Sequence, residues 1–327
     1  MRLAPGPAEA PRAHRWLRDE VVLPLYWLGA ALAQQLPLAV SYRLATGLAD
    51  LVFRLVWRER RQIVLANMRQ VLGPAASQRA VEQAAQESVR HYARYLVEFL
   101  RFPHLSKAEI LAAIGIESWS RFDALLAEGR GVIFVSFHLG NWDLAGAAAG
   151  IRGYPFLVVA DQFGPPALNA LVQEIRRRQG MQLLAAEQGA QTARVLLRAL
   201  RDGQMVGLLL DIPSPEDGVP VQLFGRTAWL PAGPATLALR TGARIVPTAV
   251  FRQPDHRFLL VIDDQFDYTP GGERAVAVPA LTQQIVRALE ALVRQHPEQW
   301  YLFRRLWSAG AGRPRRDLTP AAVGAEG

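Results

Sequence analysis

From Gly131 onward, short apolar runs alternate with amphipathic helical stretches, and this alternation restricts the fold more than any other feature of the chain. The runs are Val132–Phe137, Phe156–Ala160, Met205–Leu210, Ile245–Phe251 and Phe258–Ile262. Helical spacing falls at Trp142–Gly150, Pro166–Gln179, Gln191–Arg201, Pro234–Gly242 and Val276–Gln295. Short, nearly continuous apolar runs bounded by turn residues read as strands buried on both faces. Strands spaced by helices predict an α/β fold: a central, mostly parallel or mixed sheet flanked by helices on both faces.

Upstream, helical periodicity dominates to about residue 128, with one long helix from Gln78 to Phe102. Val21 to Tyr42 carries no charged residue and by length is able to cross a bilayer. Pro24, Gln34, Gln35 and Pro37 interrupt it, and polar groups left unpaired in hydrocarbon are costly. The next segment, Leu44–Trp57, has a helical apolar face and ends among Arg54, Arg58, Arg60 and Arg61. The expectation is a pair of helices lying in or against a membrane surface, with a buried soluble hairpin as the alternative. The expected organisation is a disordered N-terminus (1–15), a helical membrane-associating extension (16–130), an α/β core (131–308) and a flexible tail (309–327).

Composition narrows the chemistry. Cysteine is absent, which removes thiolate nucleophiles, thiolate zinc sites and disulfides together. The six histidines have no metal-ligand spacing, so no metal is expected. The net charge of +8 is carried by arginines, with Lys107 the only lysine, and no basic run is interleaved with aromatics. Nucleic acid is therefore not an expected partner. There is no G-x-S-x-G elbow, P-loop, G-x-G-x-x-G or H-E-x-x-H.

The segment Val132-Ile133-Phe134-Val135-Ser136-Phe137-His138-Leu139-Gly140-Asn141-Trp142-Asp143 runs an apolar strand into a histidine. Gly140 sits at the turn, Asn141 is a natural N-cap, and Asp143 falls in the first turn of the following helix. An imidazole at a strand end with a nearby carboxylate can take a proton from an alcohol. The bare His-x4-acid spacing is expected by chance roughly half a time in a chain of this composition. The alternative reading, a structural histidine and an aspartate complementing the helix dipole, stays open at this point. Sites in open sheets form beyond the carboxyl ends of strands, where His138 and also Asp211, after Val206–Leu210, are found. Arg176-Arg177-Arg178 reads either as cations at a helix C-terminus or as contacts to a phosphate.

Several segments in order resemble one family. They are Arg61–Arg69, His138–Asp143, Gly218–Arg226, Pro231–Ala235, Thr241–Pro247 and His296–Trp300. Together they resemble the late lipid A acyltransferases and phosphatidylinositol-mannoside acyltransferases of the glycerolipid acyltransferase superfamily. The resemblance covers about residues 20–307. It implies transfer of a fatty acyl group from acyl-CoA or acyl-carrier protein to a hydroxyl of a membrane lipid or glycolipid, without a further cofactor. By position it makes His138 the general base and Asp143 the acid that orients it. It also implies that Gly140, Asn141, Trp142, Arg176, Asp211 and Arg226 line the site. Asp211 falls where the mannoside enzyme has a Glu, and Ile212-Pro213 replaces the usual polar residues. The implied location is the cytoplasmic face of the inner membrane, peripheral or monotopic. A lysophospholipid or glycerol-phosphate acyltransferase is the alternative within the class. An idle lipid-binding protein on the same fold is the alternative outside it.

Overall fold

The computed structural model describes residues 12–116, 119–186, 189–214, 217–269 and 273–307. Residues 1–11 and 308–327, which hold most of the expected disordered terminus and the whole expected tail, lie outside the described residues. Seven strands form one sheet: β1 (Ile114–Ile116), β2 (Val132–Ser136), β3 (Phe156–Ala160), β4 (Gln182–Ala185), β5 (Met205–Leu209), β8 (Arg244–Arg252) and β9 (Phe258–Ile262). Their order is β1-β9-β8-β2-β5-β3-β4, and every neighbouring pair is parallel except β8 with β9. The remaining strands, β6 (Val219–Leu223) and β7 (Arg226–Leu230), make a separate antiparallel hairpin.

Helices cover both faces, as the alternation requires. They are α6 (Trp119–Ala127), α7 (Trp142–Ile151), α8 (Pro166–Arg178), α9 (Ala190–Arg201), α10 (Gly233–Thr241) and α11 (Arg274–Gln295). Successive side chains of a strand point to opposite faces. Val132 and Phe134 of β2 accordingly enter one core with Phe122, Leu144, Val172 and Ile175 of α6, α7 and α8. Ile133 and Val135, followed by Phe137, enter the other, with Leu196 and Leu200 of α9, Leu237 of α10 and Ile285 and Leu289 of α11. Helix α11 is apolar and long enough to cross a bilayer, but Leu281, Ile285, Val286, Leu289 and Val293 are buried, so it is a core helix.

The N-terminal part contains α1 (Arg12–Gln35), α2 (Leu38–Leu51), a π-helical turn (Val52–Val56), α3 (Arg58–Leu72), α4 (Gln78–Arg101) and the short α5 (Lys107–Ala113). Pro37 separates α1 from α2, so the uncharged stretch Val21–Tyr42 is divided between two helices. Arg101 of α4 donates to the carbonyls of Ala33 and Leu36, satisfying the end of α1 with a cation. Two differences from the sequence expectation stand out. Strand β1 lies in a stretch whose periodicity reads as helical, and it takes an edge position beside β9. The second difference is from the alternative reading alone: the α1–α2 pair is not a buried hairpin. Val21, Leu25, Leu28 and Leu32 of α1 form a helical stripe that faces outward, as do Val40, Leu44, Leu48 and Leu51 of α2. Each of these side chains is exposed by more than a third.

Candidate active site

Parallel pairing of β2 with β5 builds the centre of the site. Ser136 lies opposite Leu209, and the Leu210 N–H extends the ladder to the Ser136 carbonyl at 2.9 Å. Two residues beyond each of these partners come His138 and Asp211. The His138 ring Nδ1 lies 2.6 Å from Asp211 Oδ1, and the His138 backbone N–H donates to Asp211 Oδ2 at 3.0 Å. The Trp300 indole N–H donates to the same Oδ2 at 2.7 Å. Burial alone raises a carboxyl pKa; here the His138 ring, the His138 amide and the Trp300 indole outweigh it and hold Asp211 below its ordinary value. An ionised carboxylate accepts only, so Nδ1 carries the proton and Nε2 presents its lone pair. Trp142 stands edge-on to the ring at 4.8 Å, and the imidazole side chain is 27% exposed while Asp211 is 2% exposed. The arrangement is a basic nitrogen open to the surface, backed by a buried anion.

Asp143, expected to orient His138, makes its side-chain hydrogen bonds to other residues. Its carboxylate is buried. Arg176 of α8 donates to it through Nε at 2.7 Å and Nη2 at 3.3 Å, and the Tyr95 hydroxyl of α4 donates to Oδ2 at 2.7 Å. Arg176 is itself mostly buried, and against the cost of burial the Asp143 charge holds its pKa above the ordinary value. Tyr95 is pushed well up by burial and by the same carboxylate. The pair therefore ties α7, α8 and α4 together behind the site.

Between the two aspartates runs a loop fixed from the C-terminal side. The Tyr301 N–H donates to the His138 carbonyl at 3.0 Å, Leu139 bridges Trp300, and the Gly140 N–H donates to the Gln299 carbonyl at 3.2 Å. Gly140 has φ +59°, and a Cβ there would stand 1.8 Å from the Val250 carbonyl oxygen, so only glycine fits. Because its amide is already engaged, Gly140 is not a free donor. Asn141 caps α7 as expected, its Oδ1 accepting the Leu144 N–H at 3.0 Å.

The remaining expected residues divide. Arg176 lies beside the site but is committed to Asp143. Arg226 opens β7 on the exposed side of the hairpin, and none of the hydrogen bonds of His138, Asp143 or Asp211 involves it. Trp300, not among the expected site residues, donates to Asp211 at the candidate site. Its signal in the sequence is the segment His296–Trp300, one of those that carry the resemblance, to which no chemical role attaches. Among the described residues no group of three His, Asp or Glu side chains is placed to hold a metal ion.

Comparison with known proteins gives a consistent picture. The profile of a bacterial lipid A biosynthesis acyltransferase family matches residues 15–309. The phosphatidylinositol mannoside acyltransferase of Mycolicibacterium smegmatis is 32% identical over 235 residues, covering 70% of this chain and 74% of the relative. That of Mycobacterium tuberculosis (strain H37Rv) is 30% identical over 255 residues, covering 76% and 78%. The lipid A biosynthesis lauroyltransferase of Escherichia coli K12 is 27% identical over 301 residues, covering 89% and 94%.

Proposed function

The chain belongs to the bacterial lipid A biosynthesis acyltransferase family and is an O-acyltransferase acting on lipid or glycolipid; we propose that it moves a fatty acyl group from acyl-CoA or acyl-carrier protein to a sugar hydroxyl of a membrane glycolipid, with His138 as general base and Asp211 as the carboxylate that orients it. The observation that carries this reading is the 2.6 Å contact between His138 Nδ1 and a buried Asp211, which leaves Nε2 as the basic nitrogen at the surface. A sugar acceptor is favoured by the mannoside-modifying activity named for the relatives at 30–32% identity.

In the proposed reaction Nε2 takes the acceptor hydroxyl proton as its oxygen attacks the thioester carbonyl carbon. Asp211 stabilises the imidazolium as it forms, the division of labour of a Ser-His-Asp triad with the lipid hydroxyl in place of serine. The oxyanion is met by backbone N–H groups at the start of α7, which have no intrahelical partner. Collapse breaks the C–S bond, the ester is released, and the imidazolium returns its proton to the departing thiolate. Nothing is left covalently attached to the protein. Asp143 and Arg176 hold the helices that frame the cleft.

A peripheral or monotopic position on the cytoplasmic face of the inner membrane is part of the proposal; the outward apolar faces of α1 and α2, with Arg43, Arg54 and Arg58 exposed beside them, support it. The test is acyl transfer from labelled palmitoyl-CoA and palmitoyl-acyl-carrier protein into a total polar-lipid extract, wild type beside His138→Ala. A labelled glycolipid whose formation falls by about 10²–10⁴ in the variant is the expected result. Unchanged turnover in folded His138→Ala would overturn the assignment.

A further inference from the structure

Glu98 of α4 is a buried carboxylate that the proposed chemistry does not use. Four donors from three other elements meet it. Arg252 of β8 binds with both terminal nitrogens, Nη2 at 3.0 Å to Oε2 and Nη1 closely to Oε1. The Tyr42 hydroxyl of α2 donates at 2.5 Å and Asn141 Nδ2 at 2.8 Å. Asn141 is the cap of α7, three residues after His138.

We infer that Glu98 is a positioning residue for acyl transfer: through Asn141 it sets the first turn of α7 and the loop that carries His138. The inference rests on the acyl-transfer reading above. A carboxylate only accepts, so its contact with Nδ2 fixes the orientation of the Asn141 amide and directs Oδ1 to the Leu144 N–H. Trp142, at the first position of the helix so held, packs edge-on against the His138 ring. The ion pair reaches the same loop by a second route. The Arg252 backbone N–H donates to the Gln299 side-chain oxygen at 2.7 Å, and Gln299 returns a bond to the Arg252 carbonyl at 3.1 Å. The Gln299 carbonyl then accepts the Gly140 N–H. Gly140 and Asn141 are thus both anchored to groups attached to the Glu98–Arg252 pair.

Stability alone does not call for charges here, because a well-packed apolar set of similar volume commonly serves as well as a buried ion pair. An apolar set would not fix which way the Asn141 amide points. Displacement of a reacting group by about 1 Å costs on the order of 100-fold in rate, so a device that holds the turn has a direct kinetic consequence. Tyr42 brings α2, with its exposed apolar stripe, into the same network.

The full-length protein in lipid vesicles tests this with Asn141→Ser. Serine still caps a helix but is too short to reach Glu98, and Glu98 keeps Arg252, so no lone charge is buried. The expected result is a kcat lower by about 10- to 100-fold with KM within about twofold. Amide hydrogen exchange across residues 139–144 should be faster, and the melting temperature close to wild type. The double variant Glu98→Leu/Arg252→Met removes the acceptor and its cation together and should reproduce the kcat loss at unchanged KM. Wild-type kcat with unchanged exchange in Asn141→Ser overturns the inference, as does a loss confined to KM. If wild-type protein acylates no lipid, the acyl-transfer reading fails separately, and unchanged exchange at 139–144 in Asn141→Ser then overturns the positioning role by itself.

Discussion

His138 and Asp211 are separated by 73 positions in sequence and 2.6 Å in space, while His138 and Asp143, five positions apart, share no hydrogen bond. The two aspartates have different partners, and substitution is expected to separate their roles.

Asp211→Asn keeps an oxygen for the Trp300 indole and the His138 amide but turns an NH2 group toward Nδ1. That favours the tautomer with the proton on Nε2, which cannot act as a base. Turnover is expected to fall by about 10²–10⁴ while the fold is retained, following the behaviour of triad aspartates. Asp143→Asn instead leaves the Arg176 guanidinium buried without an anion. Removing one partner of such a pair typically costs about 3–5 kcal/mol, read as a large fall in the denaturation midpoint. Equal kinetic damage from the two variants at equal stability would contradict this division.

Stability at acid pH is expected to depend on His91. Its imidazole on α4 is pushed down to about 3 by burial and by the neighbouring charges of Arg94, Arg252 and His296, and its Nδ1 has no hydrogen-bond partner among the described residues. In the unfolded chain it protonates near its ordinary value of 6.5. Below that pH the unfolded state binds a proton that the folded state refuses, so stability falls as pH falls, down to the folded value. Between pH 8 and pH 5 the loss is about 2 kcal/mol. Asp211, held below the ordinary carboxyl range, loses its contribution only at lower pH, as pH drops through that depressed value. Urea denaturation of wild type and His91→Phe at pH 8 and pH 5 checks this. The variant should lose about 2 kcal/mol less across the interval, and parallel losses would rule His91 out.

Membrane association is expected to depend on the outward face of α2. Leu44 and Leu48 are each about 60% exposed, at 60% and 61%. Burying a leucine is worth roughly 1.5–3 kcal/mol, so Leu44→Ser/Leu48→Ser should weaken co-sedimentation with phosphatidylglycerol-containing vesicles by at least tenfold. The fold should be unaffected, because neither side chain is buried in it. Wild-type sedimentation by the double variant would move the contact elsewhere.

The amino-acid sequence by itself determined the local elements. The limits of Phe156–Ala160 and Phe258–Ile262 agree with the structure, and the long helix ends within one residue of its expected position. Periodicity settles these because each run declares its own buried face. Sequence also placed His138 at a strand end and Asn141 at a helix cap, since both depend on neighbours within a few residues. Tertiary structure alone decided the partners. Strand β5 lies next to β2, and nothing in either strand's sequence states that adjacency. The register Ser136 to Leu209 is what carries Asp211 to the imidazole. Asp143, nearer in the chain, is taken instead by Arg176, a buried cation from another helix that needs an anion. The same holds for β1, too short to show a period, and for Glu98, whose four donors come from elements that meet only in the folded chain. Local pattern is a property of the chain, whereas pairing across a sheet or between helices is set by which surfaces the whole fold brings together.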